Sequence, residues 1–191
     1  MEVKMSSMPV SEAIANAIVG WDGCDWTHEE EDEEGERVLD EDGDPRYCDG
    51  ESETCAYCRK AAEAAHEAER LGHEATTAVE AGDMALALTL VEAAHGLEMD
   101  YADAPAWDPA LKLVTKASEM VDPVIVEVMP EHLRASHEAA GNSGVYPHNG
   151  SERSILGREE AGDMVGDDPE WVSIVRAVRP DDWSEYPLHG A

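Results

Sequence analysis

The sequence predicts a mainly α-helical fold, a small helical domain built on an αα-hairpin, with a β-hairpin or knuckle near its N-terminus. Three observations carry this. Apolar residues recur at helical spacing through most of the chain after residue 54. The pair Gly82-Asp83, a helix stop followed by a helix cap, divides the longest such stretch in two. All four cysteines fall between positions 24 and 58, beside a helix start.

Residues 9–19 read as a short helix. Pro9 lies near its start, Ser11 is a candidate N-cap, Ala13, Ile14, Ala17 and Ile18 make one stripe, and Gly20 stops it. Residues 22–53 carry 16 acidic residues against Arg37 and Arg46. Their only apolar run is Val38-Leu39, with Tyr47 after the turn-like Glu41-Asp42-Gly43-Asp44-Pro45, so a hairpin through 37–48 is expected. Alone it buries too little to fold.

Thr54 caps an Ala-rich helix from Cys55 to about Ala81, with Gly72 weakening its middle and marking a candidate break. The next helix, Met84 to about Asp100, carries Leu86, Leu88, Leu90, Val91 and Leu97 nearly all round and is expected to be the buried centre. The turn between these helices resembles that of a tetratricopeptide unit, without a second copy at a fixed period. Asp108-Pro109 opens a third helix to Met120. Residues 124–129 fit a short strand, and Pro130 starts a helix to Ala140. Residues 141–154 form a polar loop, and a short helix covers 158–165. Asp168-Pro169 opens a helix carrying Trp171, Val172, Ile174, Val175 and Val178. Trp183 and Tyr186 give an aromatic tail that should pack on the body. The chain is divided at 53/54: an N-terminal helix plus acidic, cysteine-bearing segment (1–53), then the helical domain (54–191).

With 44 acidic residues against 13 basic ones the formal charge is -31. Such a chain lacks the cations that phosphate contacts need, so direct nucleic-acid binding is not expected. Hydrophobic residues make up 42% of the chain, enough for a core, but there is no Phe, so Ala, Leu, Val, Ile and Met must fill it. No run approaches the roughly 20 apolar residues of a membrane span, and the N-terminal apolar run, Ala13–Val19, is too short for a signal peptide. A cytoplasmic location is expected.

Cys55-Ala56-Tyr57-Cys58 opens the long helix, which points both sulfurs one way and sets them where the helix dipole favours thiolates. With Cys48 and Cys24 this makes a candidate structural zinc site, in which His28 is a substitute fourth ligand. A zinc-stapled knuckle would explain how so acidic a segment holds a shape. The plain alternatives are reduced cysteines without metal, or disulfides, which are rare in the cytoplasm. His28-Glu29-Glu30 followed by Cys55-x-x-Cys58 also resembles the paired motifs of zinc nucleobase deaminases, where the Glu moves protons and the metal activates water. Thr54 stands where that pattern has Pro, and the intervening segment lacks an apolar strand. Asp40-x-Asp42-x-Asp44, with Glu51 twelfth, resembles a calcium loop, but Pro45 stands where Gly is required, and a solvated acidic turn is the simpler reading. His66 and His73 share a helix face and read as surface or boundary residues.

The sequence carries no Walker motif, nucleophile elbow or Rossmann fingerprint. The leading expectation is an acidic interaction protein that uses Glu29, Glu30, Glu31, Glu33 and Glu34 to meet a basic partner. That partner is expected to be a nucleic-acid-binding protein, met by imitation of nucleic acid in the manner of phage or mobile-element inhibitors. The competing readings are a salt-adapted (halophilic) zinc protein of unrelated role, suggested by the low Lys count, and a zinc-dependent hydrolase or deaminase.

Overall fold

The computed structural model describes residues 8–21, 23, 28–48, 55–102, 105–141 and 150–189. Four helices make the body: α1 (Val10–Gly20), α2 (Ala56–Glu80), α3 (Met84–Glu98) and α4 (Asp108–Glu119). The turn between α2 and α3 forms as the sequence requires. Gly82 takes a left-handed conformation, φ 77°, and the Asp83 carboxylate accepts a hydrogen bond from Leu86 N–H at 3.0 Å.

The αα-hairpin packs on small residues. From α2 come Ala65, Ala68, Ala75 and Ala78, and from α3 come Ala87, Val91 and Ala94, all buried. Alanine contacts let two helices approach closely, and this corrects the expectation for α3. Its buried line is Met84, Ala87, Val91, Ala94 and Glu98, a single stripe. The larger leucines are displaced to its flanks: Leu86 is 48% exposed, and Leu88, Leu90 and Leu97 are half-buried.

Gly72 does not break α2, which runs unbroken through it. A Cβ there would stand 2.7 Å from both the Trp107 ring and Ile18. The glycine is therefore the recess that admits Trp107, the largest fully buried side chain among the described residues. Trp107 is held from behind by Glu98, a carboxylate only 1% exposed, which accepts from the backbone N–H groups of Ala106 (2.6 Å) and Trp107 (3.0 Å). Those two bonds satisfy donors that would otherwise be orphaned where α4 begins.

The second half of the chain departs from the helical expectation. A three-stranded antiparallel sheet forms in the order β4 (Glu152–Leu156), β3 (Val124–Val128), β5 (Val172–Ala177). Residues 172–177, expected in a helix after Asp168-Pro169, are strand β5. Their Val-Ser-Ile-Val content suits a pleated surface, and pairing with the buried β3 overrides the helix-start signal. The end of the expected polar loop, from Glu152, is strand β4; its positions 142–149 lie outside the described residues. Helices α5 (Glu131–Ala139), α6 (Arg158–Asp167) and the short α7 (Asp182–Glu185) complete the chain. One face of the sheet, with Ile125 and Ile155, joins the helical core. Val124, Val126 and Leu156 on the other face pack against Ala161 and Met164 of α6.

The tail docks as expected. Trp183 and Leu188 are buried in the main core, and residues 187–189 extend the sheet beside β4 through Ile155 N–H to Pro187 O (2.8 Å) and His189 N–H to Ile155 O (3.0 Å). Among the described residues, no helix is long and apolar enough to cross a membrane.

Candidate metal centre

The acidic segment forms a closed unit with two short strands, β1 (His28–Glu29) and β2 (Tyr47–Cys48). Where a hairpin is expected, within 37–48, the chain closes as an isolated antiparallel bridge and not as two paired strands, and β2 pairs back to β1: His28 faces Cys48 and Glu29 faces Tyr47. Glu31 faces Arg37, and Leu39 faces Pro45. Between these pairs three backbone bonds close a ring: Val38 N–H to Glu30 O (2.9 Å), Arg46 N–H to Val38 O (2.9 Å) and Glu30 N–H to Arg46 O (2.8 Å). The residues concerned are eight apart. The connecting turns repeat too, with Gly35 and Gly43 at φ 79° and 86°. The Asp32 carboxylate accepts from Glu34 and Glu36 N–H (3.0 and 2.9 Å), and Asp40 accepts from Asp42 and Asp44 N–H (2.9 and 3.0 Å). Asp-x-x-Gly at 32–35 and again at 40–43 is the sequence signal of this repeat. It also accounts for the calcium-like spacing: the Asp40 carboxylate is engaged with its own turn, and Glu51 lies outside the described residues.

Cys48 stands at the next position of the eight-residue period, where Asp32 and Asp40 stand before it. It ends β2 over the start of α2, and Ala56 N–H at that helix start donates to Glu31 O at 3.0 Å. The ribbon thus sits on the N-terminus of α2. There Cys55 is the N-cap residue, with no side-chain cap bond, and Cys58 follows in the first turn. The sulfurs of Cys48, Cys55 and Cys58 all lie within 4.8 Å of one another, and Cys48 Sγ is 3.1 Å from Cys58 Sγ. All three residues are buried, at 2%, 1% and 7% exposure.

Burial pushes the Cys58 thiol well above the ordinary thiol range, and the neighbouring sulfurs of Cys48 and Cys55 add to it. A thiolate packed among thiols in low dielectric is poorly stabilised. A cation among the three sulfurs would reverse that preference. Three buried sulfurs at this separation can hold a metal ion.

The wall beside the cluster is aromatic. Tyr57 packs on the cysteines and meets Tyr101 edge-on at 5.3 Å, and Tyr101 stacks on Trp21 at 6.5 Å. Gly23, at φ 128°, has its Cβ position 3.4 Å from Ala62 Cα, about one turn of α2 beyond Cys58. Cys24, the fourth expected sulfur ligand, lies outside the described residues, as does the side chain of His28.

The expected partner-binding glutamates separate into two groups. Glu30 is buried and lies 3.3 Å from Arg46, Glu29 is 2.6 Å from Arg37, and Glu33 is 3.4 Å from Arg59. Glu31 is half-buried and Glu34 is exposed. Glu29 and Glu30 therefore hold the ribbon's own arginines, Glu33 reaches Arg59 of α2, and Glu34 faces outward. His66 and His73 lie on the open face of α2 beside Glu69, at 3.4 and 3.7 Å. No family model, curated protein or solved structure matches this chain.

Proposed function

We propose that this protein is a zinc-stapled acidic interaction module that engages a basic protein through its ribbon. The observation that supports the reading is the triad Cys48, Cys55 and Cys58, which joins the ribbon to the start of α2. Zinc suits it because thiolate sulfur is its preferred structural donor and a Cys-x-x-Cys pair at a helix start is a common half-site. Cys24 is the fourth ligand in this proposal, with His28 as the substitute. The described residues on either side of Cys24 in the chain are Gly23, packed on α2 about one turn beyond Cys58, and His28, paired with Cys48.

The zinc holds shape and performs no chemistry in this reading. The exposed carboxylates of the ribbon turns are the binding surface, and a basic, nucleic-acid-binding face is the partner such a run of negative charge would attract. More than half of the 44 acidic residues lie outside 22–53, which favours salt adaptation as the second reading.

The test uses the metal-loaded protein. Partners are captured from lysate at low and high salt, and a nucleic-acid-binding partner is competed with duplex DNA. The variant Glu31→Gln/Glu33→Gln/Glu34→Gln, which leaves Glu29 and Glu30 on their arginines, is expected to slow association and flatten its salt dependence. Superimposable rate-against-salt curves for variant and parent would remove the ribbon from the binding surface and leave salt adaptation as the account of its charge.

A further inference from the structure

The hairpin of α2 and α3 leaves a groove at its turn end, of about 370 Å³, lined by Ala78, Ala81, Leu86 and Leu90 between the carboxylates of Glu74 and Asp83. It arises from the alanine contact described above. Because Ala87, Val91 and Ala94 occupy the line facing α2, the leucines of α3 stand beside the contact and not in it. Leu86 and Leu90 are one turn apart, so together they present an apolar step along the helix. Leu86, at 48% exposure, is among the most exposed large apolar side chains of the helical body.

We infer that this groove docks an amphipathic helix from a basic partner, which seats aliphatic side chains on Leu86 and Leu90 and sets Lys or Arg against Asp83. Charge selects this occupant over a second copy of the chain. The charged groups lining the groove are both carboxylates, Glu74 already paired with Arg70 of its own helix and Asp83 with one oxygen on Leu86 N–H and the other open among the described residues, and a second copy would bring a further net charge of -31 to the contact. A helix with anchors at i, i+3, i+4 and i+7 matches a groove built along two antiparallel helices. The surface is separate from the ribbon, so its test does not depend on the cysteine centre or on the ribbon carboxylates.

The probe is a Leu/Lys peptide of about 18 residues with leucines at helical spacing, compared with a scrambled peptide of identical composition that has no apolar stripe. Anisotropy titrations at about 0.15 M salt remove most long-range attraction that the two peptides share. The patterned peptide is expected to bind roughly tenfold tighter than the scrambled one. Leu86→Lys should abolish that difference, while Leu86→Met keeps it. The exposure of Leu86 lets both variants fold, which thermal melting checks. Equal affinities for the two peptides, or a preference that survives Leu86→Lys in a folded variant, would overturn the inference. So would a concentration-dependent dimer in sedimentation that Leu86→Lys dissociates, since the occupant would then be a second copy.

Discussion

Replacing Gly72 by alanine sets two known effects against each other at one position. In the middle of an exposed helix the change should stabilise by up to about 1 kcal/mol, because glycine loses more backbone freedom on folding. At Gly72 the new methyl would lie 2.7 Å from Ile18 Cγ1 and 2.7 Å from Trp107 Cη2. Ile18 is half-buried and can rotate away. Trp107 is 1% exposed and its backbone N–H is bound to Glu98, so the indole has nowhere to go. Overpacking of this kind costs about 1–3 kcal/mol. With the full glycine gain set against it, the balance is a net loss of up to about 2 kcal/mol, or a melting temperature lower by roughly 2–4 °C per kcal/mol for a chain of this size. Gly96→Ala is the internal control: it lies in α3, and a Cβ there meets nothing within 4 Å. Urea denaturation followed by circular dichroism should show Gly96→Ala as neutral to stabilising and Gly72→Ala as destabilising. If both substitutions stabilise alike, the recess for Trp107 is not a constraint and the packing argument fails.

Two further perturbations probe other parts of the molecule. The Asp182 carboxyl is held below the ordinary carboxylate range, first by the Arg176 guanidinium, with one contact at 2.6 Å, and also by Arg179 N–H at 2.6 Å. A depressed folded-state pKa stabilises above the unfolded value of about 3.9 and loses that stabilisation as pH falls further. Asp182→Asn should therefore cost about 1–3 kcal/mol near neutrality and progressively less below about pH 4; parallel pH–stability profiles would refute it. Stripping metal with a chelator, or substituting Cys58→Ser, should leave the helical signal nearly intact while exposing residues 28–48 to protease, because the core of α1 to α4 does not include the cysteines. Unchanged protease resistance in metal-free protein would show that the ribbon needs no staple.

The helical half of the fold was legible because its signals are local. Gly82-Asp83 and Asp108-Pro109 fix helix ends through conformations and bonds within a few residues, and they act as the sequence implies. The sheet was not legible for the opposite reason. Asp168-Pro169 is a good local helix start, yet 172–177 lie beside β3, some 50 residues earlier in the chain, and cross-strand pairing decides their conformation. The burial of α3 was misjudged because periodicity counts apolar positions but not their size; alanines took the contact and pushed the leucines outward. At the cysteine cluster, the Cys55-x-x-Cys58 spacing was readable. The route that brings Cys48 to it was not, since that depends on the eight-residue repeat and its ring of backbone bonds.

That ring bears on how the segment can change over time. Glu30, Val38 and Arg46 each donate to one neighbour and accept from the other, so no member is terminal and none can leave without orphaning two partners. Loss of either eight-residue turn would open the circle, and nothing in the other would close it. The turn tips carry no such obligation: Glu33, Glu34, Glu41 and Asp42 are exposed. The segment therefore separates a bonded frame from exposed turn tips, so side-chain replacement at a tip should leave its path unchanged whereas insertion or deletion within it should not.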